Sequence, residues 1–194
     1  EALTIEGPGQ ELLTINAQED SRIFDITATT GDFEVEGLTI TRGKTAGGVH
    51  GTDAFSGGAI RSITTGNLTI DSSIVRDSST NGNYASGGAV FALGSLTITH
   101  STITNNSTIA EFGGGGGGIS APGGLTIDQP IVSNNHTLGA DAHGGGIESY
   151  NFGLIILNSE VSGNSRGDAD RVVGAGDGGG IYSSRETTII NSTI

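Results

Sequence analysis

One short block, a small-residue pair followed by a β-branched apolar residue, recurs five times along the chain. Its copies are Gly58-Ala59-Ile60, Gly88-Ala89-Val90, Gly117-Gly118-Ile119, Gly145-Gly146-Ile147 and Gly179-Gly180-Ile181. We call the last residue of each copy column A, whose neighbouring members are 28 to 34 residues apart. Ile26 lies 34 residues before Ile60 and is expected to begin this column without the glycines. Such self-similarity is typical of repeat architectures.

Two further columns share this period. Column B ends the motif apolar-x-apolar and consists of Ile5, Val35, Ile70, Ile98, Ile127, Ile156 and Ile189. Column C follows five residues later and consists of Ile40, Val75, Ile103, Val132, Val161 and Ile194. Three residues after column C come Gly43, Ser78, Asn106, Asn135 and Asn164. The common phase indicates that each repeat is one coil of a solenoid.

Each column is a short β-branched or leucine stretch, and no segment has the apolar spacing of a helix. Stacked coils would pair every strand with the strands above and below it, so that like residues lie over like. The sequence therefore predicts an all-β fold: a right-handed, single-stranded parallel β-helix of about 6.5 coils of ~29 residues, with three short strands per coil. Asn106, Asn135 and Asn164 are predicted to form an inward asparagine ladder.

Composition narrows the classes of function. The chain has no cysteine, which excludes disulfide scaffolds and cysteine nucleophiles. It has 8 basic and 21 acidic residues, a net charge of −13, which argues against nucleic-acid partners. No apolar run approaches the roughly 20 residues of a membrane-spanning helix, so no membrane insertion of this segment is expected.

Residues 1–194 are predicted to form one β-helix domain, with weaker repeats over 1–43 and glycine-marked repeats over 44–194. Residue 1 precedes a column B strand almost directly, and Ile194 is the last member of column C. Neither end has a helical cap. We therefore expect a segment of a longer chain, or a module that associates end to end through open strand edges.

The connections that follow the asparagine column are long and variable, and they leave the coil at one corner. They are 79–86, 107–115, 136–143 and 165–177. Stacked insertions of this kind often form the binding face of a solenoid. Candidate binding residues on this edge are Tyr84, Phe112, Asp141, His143 and Arg171.

Two metal hypotheses arise from the same connections. Asp168, Asp170 and Asp177, with Asp141 one coil earlier, would supply oxygen ligands of the kind Ca²⁺ prefers. The alternative, which we favour, is a solvated polar loop, because the spacing matches neither the helical calcium hand nor the nonapeptide calcium repeat. Asp141 and the nearby histidines have no third ligand at a recognisable spacing, so no transition-metal cofactor is predicted.

A column of carboxylates follows column B and comprises Glu6, Glu36, Asp71 and Asp128. One hypothesis is a carboxylate cluster that performs acid–base chemistry on a sugar chain. The favoured alternative is an exposed acidic stripe that keeps the surface soluble.

The motif ending in Ile60 and its copy ending in Val90 resemble the Gly-Gly-Ala-Ile motif of the polymorphic outer-membrane protein repeats. That family's companion Phe-x-x-Asn motif is similar to the segments 103–106, 132–135 and 161–164, in which the phenylalanine is replaced. The resemblance implies a bacterial surface or secreted protein with an adhesive or structural role and no assigned active site.

We therefore expect a non-catalytic extracellular β-helix segment, an adhesin or stalk that presents stacked loops to a glycan or a surface or matrix protein, with no catalytic residues. One alternative is a polysaccharide lyase or hydrolase, since the pectin-lyase-like solenoid also hosts such enzymes. The only lysine is Lys44, and the motif set of polygalacturonases is missing, which weakens this alternative. The other alternative is a self-assembling filament subunit.

Overall fold

The computed structural model describes residues 2–47, 53–167 and 177–194. Across these residues the chain forms a parallel β-solenoid of about six turns. Its only helix there is the single 3₁₀ turn Asp53–Phe55. No helix in the described ranges has the length and apolar character needed to cross a membrane.

Each turn is made of short strands joined by tight corners. The first twelve strands are β1 (Leu3–Glu6), β2 (Thr14–Asn16), β3 (Phe24–Ile26), β4 (Phe33–Glu36), β5 (Thr39–Thr41), β6 (Lys44–Ala46), β7 (Ile60–Ser62), β8 (Asn67–Asp71), β9 (Ile74–Arg76), β10 (Ser79–Asn81), β11 (Val90–Ala92) and β12 (Ser95–Thr99). The next twelve are β13 (Thr102–Thr104), β14 (Ser107–Phe112), β15 (Ile119–Ser120), β16 (Leu125–Asp128), β17 (Ile131–Ser133), β18 (His136–Ala140), β19 (Ile147–Ser149), β20 (Leu154–Leu157), β21 (Glu160–Ser162), β22 (Ser165–Gly167), β23 (Ile181–Ser183) and β24 (Thr187–Ile190).

The strands assemble into four parallel sheets, which we name A to D after the order in which one coil visits them. Sheet A has the order β23-β19-β15-β11-β7-β3, and sheet B has the order β1-β4-β8-β12-β16-β20-β24. Sheet C has the order β2-β5-β9-β13-β17-β21, and sheet D has the order β22-β18-β14-β10-β6. Each strand therefore pairs with strands one coil away along the sequence, as a stacked solenoid requires.

Columns B and C are confirmed. Ile98 pairs with Ile70 on one side and with Ile127 on the other, in sheet B. Ile103 pairs with Val75 and with Val132 in sheet C. These side chains are fully buried and belong to one hydrophobic core along the axis.

The expectation of three strands per coil is wrong, because five successive coils have a fourth strand, which belongs to sheet D. This strand follows the asparagine column directly and takes up the start of each connection that the sequence suggested was a loop. Its inward residues include Thr80, Thr108 and Thr137, all fully buried. Their hydroxyls donate to backbone oxygens of the connections that run from sheet D to sheet A, for example Thr137 to Gly144 O at 3.1 Å within its own connection. A polar inward residue conceals the strand, because it breaks the apolar alternation by which strands are recognised.

The start of column A is also corrected. Phe24 pairs with Ile60, and Ile26 pairs with Ser62, so Phe24 and not Ile26 begins the column. Both side chains face the interior with Asp25 between them facing outward, so either assignment satisfies the alternation of a strand.

The asparagine ladder is confirmed. Asn106 Nδ2 donates to Asn135 Oδ1 at 3.0 Å, and Asn135 Nδ2 donates to Asn164 Oδ1 at 3.0 Å. The same amides donate to carbonyls inside the coil, including Asn135 Nδ2 to Ile103 O at 2.9 Å. Ser78 continues the series, because its N–H donates to Asn106 Oδ1 at 2.9 Å. The ladder thus satisfies backbone groups at the corner from which sheet D begins.

Candidate binding face

The connections from sheet D to sheet A stack on one another along one edge of the solenoid, which we call the loop edge: residues 82–88, 112–117 and 140–145. Backbone hydrogen bonds hold successive loops in register, such as Gly87 N to Gly115 O at 2.9 Å and Gly116 N to His143 O at 2.9 Å. Gly87, Gly116 and Gly144 all have positive φ, and a Cβ there would collide with a carbonyl of the following strand. The glycine blocks therefore set the path of each loop as it enters sheet A.

Two aromatic side chains lie on neighbouring levels of the loop edge. The N–H of Tyr84 donates to Phe112 O at 3.0 Å, which places these residues one coil apart. The Tyr84 ring packs over Gly113, where a Cβ would lie 2.6 Å from Tyr84 Cδ1. Tyr84 is 50% exposed and Phe112 is 44% exposed. The loop edge thus presents a pair of aromatic surfaces to solvent, at a spacing of about 4.8 Å along the axis.

Asp141 and His143 lie one level further along the same edge. Asp141 is exposed at a positive φ of 57°, just after β18. The His143 ring stacks on Tyr182 with centroids 4.3 Å apart and planes 20° apart. His143 Nδ1 accepts the N–H of Asp177 at 3.1 Å, so it is engaged in holding the next connection. Asp141 therefore presents its side chain on the edge, whereas His143 ties two levels together.

Three predicted site residues, Asp168, Asp170 and Arg171, lie outside the described residues. Asp177 is exposed. Within 2–47, 53–167 and 177–194, no three acidic or histidine side chains gather closely enough to hold a metal ion. The calcium hypothesis depends on Asp168 and Asp170, so it stays a prediction.

The acidic column of sheet B stacks in register as predicted, since Glu36 pairs with Glu6 on one side and with Asp71 on the other. Thr99 follows Asp71 in the column and donates to its carboxylate, as does His100 Nδ1 at 3.1 Å. Partial burial raises the pKa of Asp71, but hydrogen bonds from Thr99, His100 and Ser72 outweigh it and hold that pKa below its ordinary value. These hydroxyl and imidazole donors stabilise the negative charge of the Asp71 carboxylate.

A buried carboxylate that the sequence analysis missed lies beneath the loop edge. Glu148, on β19, is 5% exposed, and its carboxylate occupies the space where a Cβ at Gly115 would be. Ser120 Oγ donates to Glu148 Oε2 at 2.9 Å. Ser86 also hydrogen-bonds to this carboxyl, and its Oγ accepts the N–H of Gly115 at 3.1 Å. One side chain thus connects sheet A with the loops that carry Tyr84 and Phe112.

Burial raises the pKa of Glu148 to about 7, although the hydrogen bonds from Ser120 and Ser86 lower it in part. Burial also raises the pKa of Tyr150 to about 12, and the negative charges of Glu148 and Asp53 add to this shift.

The sequence gives only a weak indication that Glu148 is buried. Glu148 stands at the position that Phe91 and Ser120 hold in earlier coils. A residue at this position is expected to face solvent, because it alternates with the inward residue of column A. The burial of Glu148 comes from the glycine-rich segment 113–118, which lies over it.

The chain matches no protein-family model, no curated protein and no solved structure.

Proposed function

We propose that this chain is a non-catalytic segment of an extracellular or bacterial cell-surface protein, and that its loop edge binds a neutral glycan. The observation that supports this most directly is the pair Tyr84 and Phe112, half exposed on adjacent levels of a rigid scaffold. Aromatic faces bury large areas against flat apolar ligand surfaces, and the faces of pyranose rings are of this kind. The localisation is suggested by the resemblance to surface repeat proteins and follows the same proposal.

Charge favours a neutral ligand over an acidic one. The chain carries a net charge of −13, and Asp141 lies on the same edge one level beyond Phe112. A polyanionic glycan would be repelled over the whole approach to this surface. A neutral sugar chain along the axis would meet one aromatic ring and then the next, with Asp141 accepting from its hydroxyls.

The enzyme alternative depends on the acidic column. In that column Asp71 accepts bonds from Thr99 and His100, and Asp128 accepts from Asn158 Nδ2 at 2.8 Å. A general acid that donates a proton at neutral pH needs a raised pKa, whereas that of Asp71 is lowered. These contacts favour a charge-satisfied surface stripe.

Binding to a panel of immobilised neutral and acidic glycans tests the proposal. We expect Tyr84→Ala and Phe112→Ala each to weaken binding to a neutral glycan by about tenfold, or about 1.4 kcal/mol. Phe152→Ala is the matched control, since Phe152 is 62% exposed at the corner between sheets A and B, and it should leave binding unchanged. Equal loss in all three variants, or preferential binding to acidic glycans, contradicts the proposal.

Release of reducing ends or unsaturated products from the same glycans tests the non-catalytic part. We expect no turnover with or without Ca²⁺. Turnover that Asp71→Asn abolishes would contradict the proposal and support the enzyme alternative. Binding of a purified matrix protein that carries no glycan would instead show that the ligand is a protein.

A further inference from the structure

Six consecutive glycines, residues 113–118, cover the buried carboxyl group of Glu148. A Cβ at Gly115 would overlap both carboxyl oxygens, so the main chain lies directly over this group. Glu148 is 5% exposed. Glycine has the widest range of backbone conformations, and it has no side chain. The middle of the glycine-rich segment is therefore able to leave the carboxyl group without unpacking any side chain of its own.

One serine links the carboxyl group to the main chain above it. The N–H of Gly115 donates to Ser86 Oγ at 3.1 Å, and Ser86 also hydrogen-bonds to Glu148. On the other side of the carboxyl group, Ser120 Oγ donates to Glu148 Oε2 at 2.9 Å. Two hydroxyl groups therefore hold the carboxyl group, and one of them also holds the glycine-rich segment.

The same segment carries the aromatic pair of the loop edge. Phe112 precedes the first glycine directly, and the Tyr84 ring packs over Gly113. The N–H of Tyr84 donates to Phe112 O at 3.0 Å. A displacement of the glycine-rich segment therefore changes the relative position of the two rings.

In the described ranges, no cation offsets the charge of an ionised Glu148. Burial and the hydrogen bonds of the two serines are the causes of the shift in its pKa. The titratable and charged groups of the surrounding elements are Tyr84 over Gly113, Tyr182 on β23, His143 stacked on that ring, Tyr150 two residues along the chain, Asp53 of the 3₁₀ turn, and Arg61 three levels away in the outward column of sheet A. Asp53 is negative, and Arg61 is paired with Asp25. An ionised Glu148 therefore depends on hydroxyl groups and on access to water.

The protonation state of Glu148 changes which position of the segment is favoured. A carboxylate is poorly hydrated in this site, and burial raises the pKa of Glu148 to about 7. When the segment moves and water reaches the group, the pKa returns towards 4.5. The closed arrangement thus binds the proton more tightly, and it loses up to about 300-fold against the open one as pH rises from 4.5 to 7.

The opening is local, because the strands beneath the segment are anchored in the core. Ile119 on β15 and Ile147 on β19 are fully buried, whereas the glycines contribute no apolar side chain. Segments with few buried apolar contacts open at a lower free energy than the whole chain.

We propose that the glycine-rich segment 113–118 is a proton-controlled cover, which closes on protonated Glu148 and opens locally when Glu148 is ionised. Glu148 and Ser86 are then positioning residues for Tyr84 and Phe112. The consequence for ligand binding rests on the proposed function, whereas the opening does not, so the opening is measured without a glycan.

Native-state hydrogen exchange of the ¹⁵N-labelled chain between pH 5 and pH 8, corrected for the intrinsic exchange rates, measures the opening. The reporters are the amides of Gly113 and Gly115, which donate to Ala140 O and Ser86 Oγ, and Ile98 reports global unfolding. We expect both glycine amides to be less protected than that of Ile98 at every pH. Their protection should fall by about 70-fold from pH 5 to pH 8.

Two variants separate the carboxyl group from general effects of pH. Glu148→Gln does not ionise, so the protection of Gly113 and Gly115 should no longer fall with pH. Glu186→Gln, at an exposed position, should follow the wild type. Equal protection of Gly115 and Ile98 in the wild type, or the same fall with pH in Glu148→Gln, overturns the proposal.

A measurement on the wild type alone keeps the test independent of how the variants fold. The ¹³C shift of the Glu148 carboxyl group should titrate with a midpoint near 7, and a midpoint near 4.5 overturns the proposal. None of these readouts involves a ligand. Failure of the cover would leave glycan binding by Tyr84 and Phe112 as proposed, and failure of glycan binding would leave the measured opening unchanged.

Discussion

Polar side chains inside the solenoid bind backbone groups that the sheets leave unpaired at the corners. Asn135 is fully buried and makes contacts on three levels: it donates to Ile103 O and Asn164 Oδ1, and its Oδ1 accepts from Asn106. A buried donor or acceptor that loses its partner costs about 1–3 kcal/mol. The asparagine column is therefore part of the stabilising interior.

Replacing Asn135 tests this role. Asn135→Leu has an apolar side chain of similar size but leaves the N–H of Asn106 and the C=O of Ile103 without partners. We expect a loss of about 3 kcal/mol in the free energy of unfolding, measured by urea titration. Asn151→Leu, at an exposed position, is the control and should change the value by less than about 0.5 kcal/mol. Similar values for both variants would contradict a structural role of the ladder.

Glu148 makes the stability of the chain depend on pH. Its pKa is about 7 when folded and near 4.5 when unfolded, so between these values the folded state binds one more proton than the unfolded state. Stability therefore falls as pH rises from about 4.5 to 7, by about 3 kcal/mol in total, and is constant above.

The measurement is the free energy of unfolding against pH in the wild type and in Glu148→Gln. The amide keeps one acceptor oxygen and does not ionise, so the variant should lose this slope and be the more stable protein at pH 8. Glu186→Gln, at an exposed position, should follow the wild type. An unchanged slope in Glu148→Gln would show that this carboxyl does not ionise in that range.

Individual strands differ in how well the sequence predicted them. Strands of sheets B and C were predicted because each contributes an aliphatic residue at fixed phase, such as Ile98 and Ile103. Sheet D was missed because Thr80, Thr108 and Thr137 face inward, where their hydroxyls donate to carbonyls of the connections that run from sheet D to sheet A. The first member of column A was placed at Ile26 and not at Phe24, because a shift of two residues leaves the inward and outward alternation of a strand unchanged.

The candidate site was predictable only in part, for a related reason. The sequence placed Tyr84, Phe112 and Asp141 on one edge because all three follow the asparagine column. It gave no sign of Glu148, since burial at that position comes from loops contributed by two other coils. The contact with Ser86 joins coils that are not neighbours, and no repeat spacing reveals it.

The glycine two residues before column A is required by close approach of backbone in four coils, at Gly58, Gly88, Gly117 and Gly145. At Gly88 a Cβ would be closer to Gly117 O and Ser107 O than real Cβ atoms come to any atom, whereas at Gly179 a Cβ would meet nothing within 4 Å. Gly88→Ala should destabilise the chain by about 3–5 kcal/mol, and Gly179→Ala should have almost no effect. Thermal unfolding of both variants measures the difference, and equal melting temperatures would contradict the assigned packing.

At the scale of the whole molecule, each coil contacts only its neighbours for most of its packing. Stability of such a chain is close to a sum over coils and their interfaces, so the ends should open more readily than the centre. Ile98 and Ile127 are fully buried in the middle, whereas Ile189 is 46% exposed at one end.

Native-state hydrogen exchange measures this gradient. The amides of Ile98 and Ile127 should exchange only through global unfolding, and those of Ile5 and Ile189 through local opening of lower free energy. Uniform protection from end to end would instead indicate a single cooperative unit.

The constant register of sheets A to D has a consequence for how such a chain is able to change its length. Ser107 pairs with His136, and Asn106 stacks on Asn135, so residues 107–135 form one complete repeat unit whose upper and lower surfaces match. Duplicating or deleting that repeat unit would bring together surfaces that already fit. The solenoid can therefore lengthen or shorten by whole repeat units, whereas an insertion or deletion within a unit is tolerated only in the loops that project from the edge.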